Sequence, residues 1–218
     1  MINTPQFLLE NPLNVVLRDF PADCLLYTVE ALIKGGIKSV VVEFSPNSER
    51  AERNSVLATQ GLKKCFGNDL LVGVGNVFTE NMVKLAKGAG ADFIVSPAFS
   101  AEVIERAKAV AIPIVSGGFT VTELYEAQMK GATLSALTPA KLGKEFGIAE
   151  FIGKTLPQVN LAAAGDIDFP DILPLAKMGY KRFFIGGSLA NITLAKKGEY
   201  GIIELEAKRY MEVFEKLK

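Results

Sequence analysis

"LLVGVGNVFTENMVKLAKGAGADFIVSPAF", residues 70–99, contains two apolar runs separated by an amphipathic one. The runs "LLVGVGNV" from Leu70 and "DFIVSP" from Asp92 are short and rich in β-branched residues, as buried strands are. Between them, "TENMVKLAKGAGA" repeats its apolar residues at helical spacing, offers Thr79 as an N-cap, and stops at Gly88 and Gly90. A strand, a helix and a second strand in so short a stretch form one βα unit running into the next. A crossover of that kind makes the two strands parallel.

The unit recurs along the chain at intervals of about two dozen residues, the mark of a repeated architecture. Further strands are read in "NVVLRDF" from Asn14, "KSVVVEF" from Lys38, "PIVSGGF" from Pro113, "TLSALTP" from Thr133, "VNLAAAGD" from Val159 and "RFFIGGS" from Arg182. "TVTELYEAQMKGA" repeats the helix pattern from Thr120 to Gly131, and each helix is expected to end in a glycine turn. Eight strands alternating with helices in 218 residues predict an α/β fold, a (β/α)8 TIM barrel, as one domain over residues 1–218. An open doubly wound sheet is the alternative, and the absence of a GxGxxG loop counts against it.

Composition narrows the chemistry. Lys plus Arg equals Asp plus Glu, 24 against 24, so no global field draws the chain to nucleic acid or to an anionic membrane. No apolar stretch approaches the ~20 residues that cross a bilayer, and the N-terminus lacks a basic start followed by an apolar run, which predicts a cytoplasmic protein. Cys24 and Cys65, without CxxC spacing, read as buried small hydrophobes in a reducing compartment. There is no histidine. Histidine triads, histidine-ligated metals and the commonest neutral-pH base are thereby excluded, and no cofactor is called for. A small molecule is the expected partner.

In a barrel of this type function gathers where strands end. Those positions hold Arg18 and Asp19, Glu43 and Ser45, Asn76, Ser96 and Pro97, Ser116 with Gly117 and Gly118, and Thr138 with Lys141 beyond it. The last two strands add Gly165 and Asp166, then Gly186, Gly187 and Ser188. Glu43 ends a run of three valines, so it reads either as an acid/base group in the site or as the ion-pair partner of Arg18. "IGGSLA", residues 185–190, has the glycines and hydroxyl of an anion-binding turn before a helix; a plain tight turn uses the same residues. Asp166 would oppose a phosphate there.

"VGVGNV", "ADFIVSPAF", "IPIVSGGFTVTEL" and "IGGSLA", in this order, resemble the 2-keto-3-deoxy-6-phosphogluconate/4-hydroxy-2-oxoglutarate aldolases from about Asn14 onward. The resemblance implies a trimer of barrels that cleaves a 2-keto-4-hydroxy acid, in some cases phosphorylated, to pyruvate and an aldehyde. It implies a lysine Schiff base and a proton-shuttling glutamate. Glu43 matches that glutamate with a two-residue step, which preserves the inward direction of a strand side chain. Asn76, Pro97, Gly186, Gly187 and Ser188 fall at the family's substrate-binding positions, Asp166 stands where the loop after strand seven has a glycine, and the strand ends add Arg18, Thr138 and Gly165 as substrate-binding candidates. Anchored on Gly131 and on Pro139-Ala140, the Schiff-base lysine falls on Ala136, which cannot form an imine.

Three expectations follow. Lys141, read as a loop residue, is a substitute nucleophile or a solvated charge; Glu43 and Asp166 hold Mg²⁺ in place of an imine; or the barrel binds a phosphorylated metabolite or keto acid without cleaving it.

Overall fold

The computed structural model describes residues 3–44 and 49–217, and the side chains of all of these except 49–51. Eight parallel strands close into a barrel in the order of the chain. They are β1 (Leu13–Leu17), β2 (Ser39–Glu43), β3 (Leu71–Gly75), β4 (Phe93–Ser96), β5 (Ile114–Gly118), β6 (Leu134–Leu137), β7 (Leu161–Ala163) and β8 (Phe183–Ile185). Closure is made by β1 against β8, with Leu13 opposite Phe183 and Val15 opposite Ile185.

Helices α1 (Thr4–Glu10), α2 (Ala22–Lys34), α3 (Glu49–Phe66), α4 (Glu80–Gly88), α5 (Ala101–Ala109) and α6 (Val121–Lys130) accompany the first half. They are followed by α7 (Ala140–Glu145), α8 (Ile148–Thr155), α9 (Ile172–Lys177), α10 (Ile192–Lys196) and α11 (Tyr200–Lys216). None is long and apolar enough to cross a membrane.

Local chemistry explains the boundaries read from sequence. Thr79 caps α4 by accepting from the Met82 N–H at 3.3 Å, and Thr120 with Glu123 forms a reciprocal capping box on α6. Gly131 ends α6 at φ 104°, a left-handed turn that only glycine adopts without cost. The glycine rule fails after α5 and α8: Ala111 takes the left-handed turn at φ 50°, and α8 stops at Leu156. Cys24 is buried as expected, whereas Cys65 is exposed on the last turn of α3, because that helix buries only one face.

Strand side chains alternate between two cores. Those facing the helices form the larger layer, including Val15, Val40, Val42, Val72, Leu137 and Ile185. The inward row packs Val41, Leu71, Phe93, Val115, Leu134, Ala162 and Phe184 around the axis, with Leu8 of α1 among them. The Phe93 ring fills the space of a missing side chain at Gly73, where a Cβ would lie 2.4 Å from it. Helix α1, which sequence periodicity did not reveal, plugs the end where the strands begin: Arg182 Nε donates to the Leu9 carbonyl at 2.8 Å. With that end closed, the only open mouth of the barrel in the described residues is the one where the strands end.

Candidate active site

A cavity of about 730 Å³ occupies that mouth, lined from seven of the strands and from the segment that follows β7. Its floor follows from the strand period: Val16, Val41, Val95, Ala136, Ala164 and Phe184 share the inward parity and are apolar, and the next inward positions are Arg18, Glu43, Gly117, Thr138 and Gly186. All the substrate-binding positions predicted from sequence lie on the cavity wall: Arg18, Asn76, Pro97, Thr138, Gly165, Asp166, Gly186, Gly187 and Ser188. Glu43 and Lys141 lie there too. Ser116 and Gly118 point away from it, and Ser45 lies outside the described residues.

Glu43 is a carboxylate on an apolar floor, its side chain only 11% exposed. Arg18, the next inward residue on the neighbouring strand, donates from Nε to Glu43 Oε2 at 2.7 Å. That hydrogen bond and the charge of Glu43 raise the Arg18 pKa above its usual value, and Asp166 and Asp19 add to the effect. Glu43 is thus the ion-pair partner of Arg18, and it lies on the wall of the cavity.

Lys141 departs from its sequence reading. It is not in a loop but in the first turn of α7, where Pro139 begins a helix-favouring run. Its ammonium reaches Asp171 at 2.8 Å and Asp168 at 3.4 Å. The hydrogen bond to Asp171, with help from Asp168, raises the Lys141 pKa. The opposite environment would be needed for a neutral amine at pH 7. On Asp171, burial pushes the carboxyl up, and the bonds from Lys141 and the Asp168 N–H outweigh it and bring it down. The magnesium reading loses one of its two ligands to Arg18, and no group of three or more metal-ligating side chains is found among the described residues.

Backbone strain concentrates at the mouth. Among the described residues four non-glycine residues have positive φ, and three of them, Asp19 (47°), Asn76 (61°) and Asp166 (47°), line the cavity. Asn and Asp tolerate this conformation best, which explains the residue types, and such turns re-aim a chain at the end of a strand. Asn76 Nδ2 reaches the Phe44 carbonyl at 3.4 Å and ties the ends of β2 and β3 together.

Pro97 is fixed by Gly117. A Cβ at Gly117 would lie 2.2 Å from the Pro97 carbonyl oxygen and 2.5 Å from its carbon, both backbone atoms that cannot swing aside. Gly117→Ala is therefore expected to cost at least about 1–3 kcal/mol by overpacking, or several degrees of melting temperature at about 2–4 °C per kcal/mol. A thermal melt followed by circular dichroism checks it, and an unchanged midpoint would show that the strands separate without strain.

Asp168 and Asn191 also line the cavity, and sequence reasoning passed over them. The signal was present in "GDIDFPD": Asp168 opens a capping box with Asp171 around a single 3₁₀ turn, Phe169–Asp171.

The comparison that decides the family concerns the whole barrel: the sequence profile described as "Aldolase: KDPG and KHG aldolase" matches residues 7–205. The chain belongs to that family. It is 31% identical over 141 residues to the 2-dehydro-3-deoxy-phosphogluconate aldolase of Treponema pallidum, an alignment covering 63% of this chain and 62% of that protein. Against a probable 2-dehydro-3-deoxy-6-phosphogalactonate aldolase of Rhizobium meliloti it is 27% identical, with 83% and 82% covered.

Among solved structures, a KDPG aldolase of Legionella pneumophila, captured with pyruvate as a covalent carbinolamine, superposes with a TM-score of 0.82 at 23% identity, covering 96% of this chain and 98% of that one. A thiamine phosphate pyrophosphorylase of Pyrococcus furiosus, at 16% identity and 96% and 98% coverage, still reaches 0.71. The barrel alone therefore does not choose the chemistry.

Ala136 is the position on which the sequence resemblance places the Schiff-base lysine. It is 2% exposed, faces the cavity, and sits in register between Gly117 and Ala162.

Proposed function

We propose that the chain is a carbon–carbon lyase that cleaves a 2-keto-4-hydroxy acid to pyruvate and an aldehyde, without an imine. The observation that carries this reading is the Arg18–Glu43 pair on the floor of the mouth cavity, in a member of an aldolase family. Glu43 takes the proton of the substrate's 4-hydroxyl, the C3–C4 bond breaks, and its electron pair moves into C2–C3 to give the enolate of pyruvate. The aldehyde leaves, and Glu43 returns the proton to C3.

Charge that develops on the C2 oxygen meets Arg18 and Lys141, the two cations on the wall among the described residues. Lys141 acts here as a fixed charge, since two carboxylates keep it protonated. The family resemblance also supports a homotrimer, and the exposed Phe146 and Phe151 of the segment after β6 offer apolar surface for contact between copies.

Release of pyruvate from 2-keto-3-deoxygluconate or its 6-phosphate, read by a coupled reductase assay, tests the activity. Binding of both compounds with no pyruvate released would sink it and favour the non-cleaving barrel that Ala136 suggests. The imine-free route makes a separate prediction. Borohydride added with pyruvate at pH 7 leaves the wild-type mass unchanged, and an adduct mapped to Lys141 would replace that route with an imine one.

A further inference from the structure

Resting on the lyase reading above, we propose that the far end of the cavity, between the segments after β7 and after β8, selects an uncharged hydroxylated tail and rejects a phosphoester. The two relatives aligned above are named for phosphorylated sugar acids, so the inference separates this chain from them.

Charge on the wall is the first observation. Arg18 and Lys141 face four carboxylates, Asp19, Glu43, Asp166 and Asp168. Both cations are already engaged in ion pairs near the reacting carbons, and neither is free for a tail phosphate. Arg18 is held by Glu43 at 2.7 Å, with Asp166 and Asp19 in its field. Lys141 is held by Asp171 at 2.8 Å and Asp168 at 3.4 Å. Residues 45–51, "SPNSERA", add one acid and one base in sequence and so leave the balance as it is.

The second observation is independent of charge and concerns the hydroxyl of the Gly186-Gly187-Ser188 turn. Ser188 Oγ lies 3.3 Å from the Ile167 carbonyl, which can only accept, so the serine proton is given there. Tyr210 Oη of α11 then donates to Ser188 Oγ at 3.2 Å. With its one hydroxyl hydrogen committed, the Ser188 side chain has none to offer an anion. The same contact fixes the turn against residue 167, whose two neighbours, Asp166 and Asp168, both face the cavity. A phosphate dianion on this turn would share the cavity with the carboxylates of Asp166 and Asp168 and, among the described residues, with no cation outside an ion pair, a like-charge placement that disfavours binding. Sugar hydroxyls reverse the sign, because they donate to carboxylates.

Paired substrates test the proposal on the intact protein. Pyruvate release and calorimetric binding are measured for 2-keto-3-deoxygluconate and for its 6-phosphate, with inorganic phosphate as competitor. The unphosphorylated acid is expected to lead by at least about tenfold in kcat/KM and in affinity, and added salt is expected to narrow the gap by screening the repulsion. Asp166→Asn with Asp168→Asn shifts the ratio toward the phosphoester by about tenfold. Asp166→Asn alone, a residue suited to the left-handed turn it inherits, shifts it in the same direction.

A wild-type preference for the phosphoester, competition by millimolar phosphate, or a ratio unmoved in a folded variant overturns the proposal and leaves the lyase reading intact. Where neither compound is cleaved, the lyase reading fails and calorimetry still decides the tail: preferential binding of the unphosphorylated acid supports the proposal, and binding of neither compound overturns it.

Discussion

Replacing Glu43 with glutamine lowers turnover about 10²–10⁴-fold, the usual contribution of a positioned acid/base group, while KM changes far less. Gln keeps the size of the side chain and its reach on the apolar floor, and removes the ability to accept and return a proton. The ion pair with Arg18 is lost as well. Because the Arg18 side chain is 67% exposed, that loss costs stability no more than about 1 kcal/mol. Activity and stability therefore separate: steady-state pyruvate release collapses while the thermal midpoint moves little. A folded Glu43→Gln protein that retains more than about a tenth of wild-type turnover would remove Glu43 from the proton path, since even the low end of the range exceeds that.

Ala136→Lys is expected to act in the opposite direction and to change the mechanism. The position faces the cavity, and its register partners Gly117 and Ala162 are small, so the four-carbon stem extends into open volume rather than into packed core. The apolar floor of Val41, Val95 and Phe184 disfavours the charged form of an amine placed there, which lowers its pKa and makes it nucleophilic. Borohydride with pyruvate then labels the folded variant stoichiometrically at residue 136, and cleavage accelerates because the imine is a stronger electron sink than the free ketone. Wild type under the same conditions stays unlabelled. A folded variant that takes no adduct would mean that the keto group is not held near this strand.

Much of this site was legible before any coordinates because a barrel converts sequence position into geometry. Strand ends marked Arg18, Glu43 and Thr138, the family resemblance marked Ala136, and all four line the cavity. The same resemblance placed a lysine where Ala136 stands. Lys141 was legible as a residue but not as an environment: its partners Asp168 and Asp171 come from the segment after the next strand, and no spacing within "TPAKLG" reveals them. Asp168 escaped notice for the same reason, since its role depends on which side of a single 3₁₀ turn faces inward.

Helix α1 was missed because its seven residues give periodicity too little length; its signal was the Asn3 cap with proline in the first turn. Cys65 shows the limit of composition, because whether a cysteine is buried depends on the helix face it occupies.

The central claim is that Glu43 moves a proton at the methyl carbon of pyruvate without a covalent link to the protein. The most direct measurement is the exchange of pyruvate methyl hydrogens in deuterium oxide, followed by proton NMR. Wild type is predicted to speed exchange above the buffer rate, to keep doing so after treatment with borohydride and pyruvate, and to lose that ability on Glu43→Gln. Saturable binding of pyruvate with exchange at the buffer rate would contradict the account.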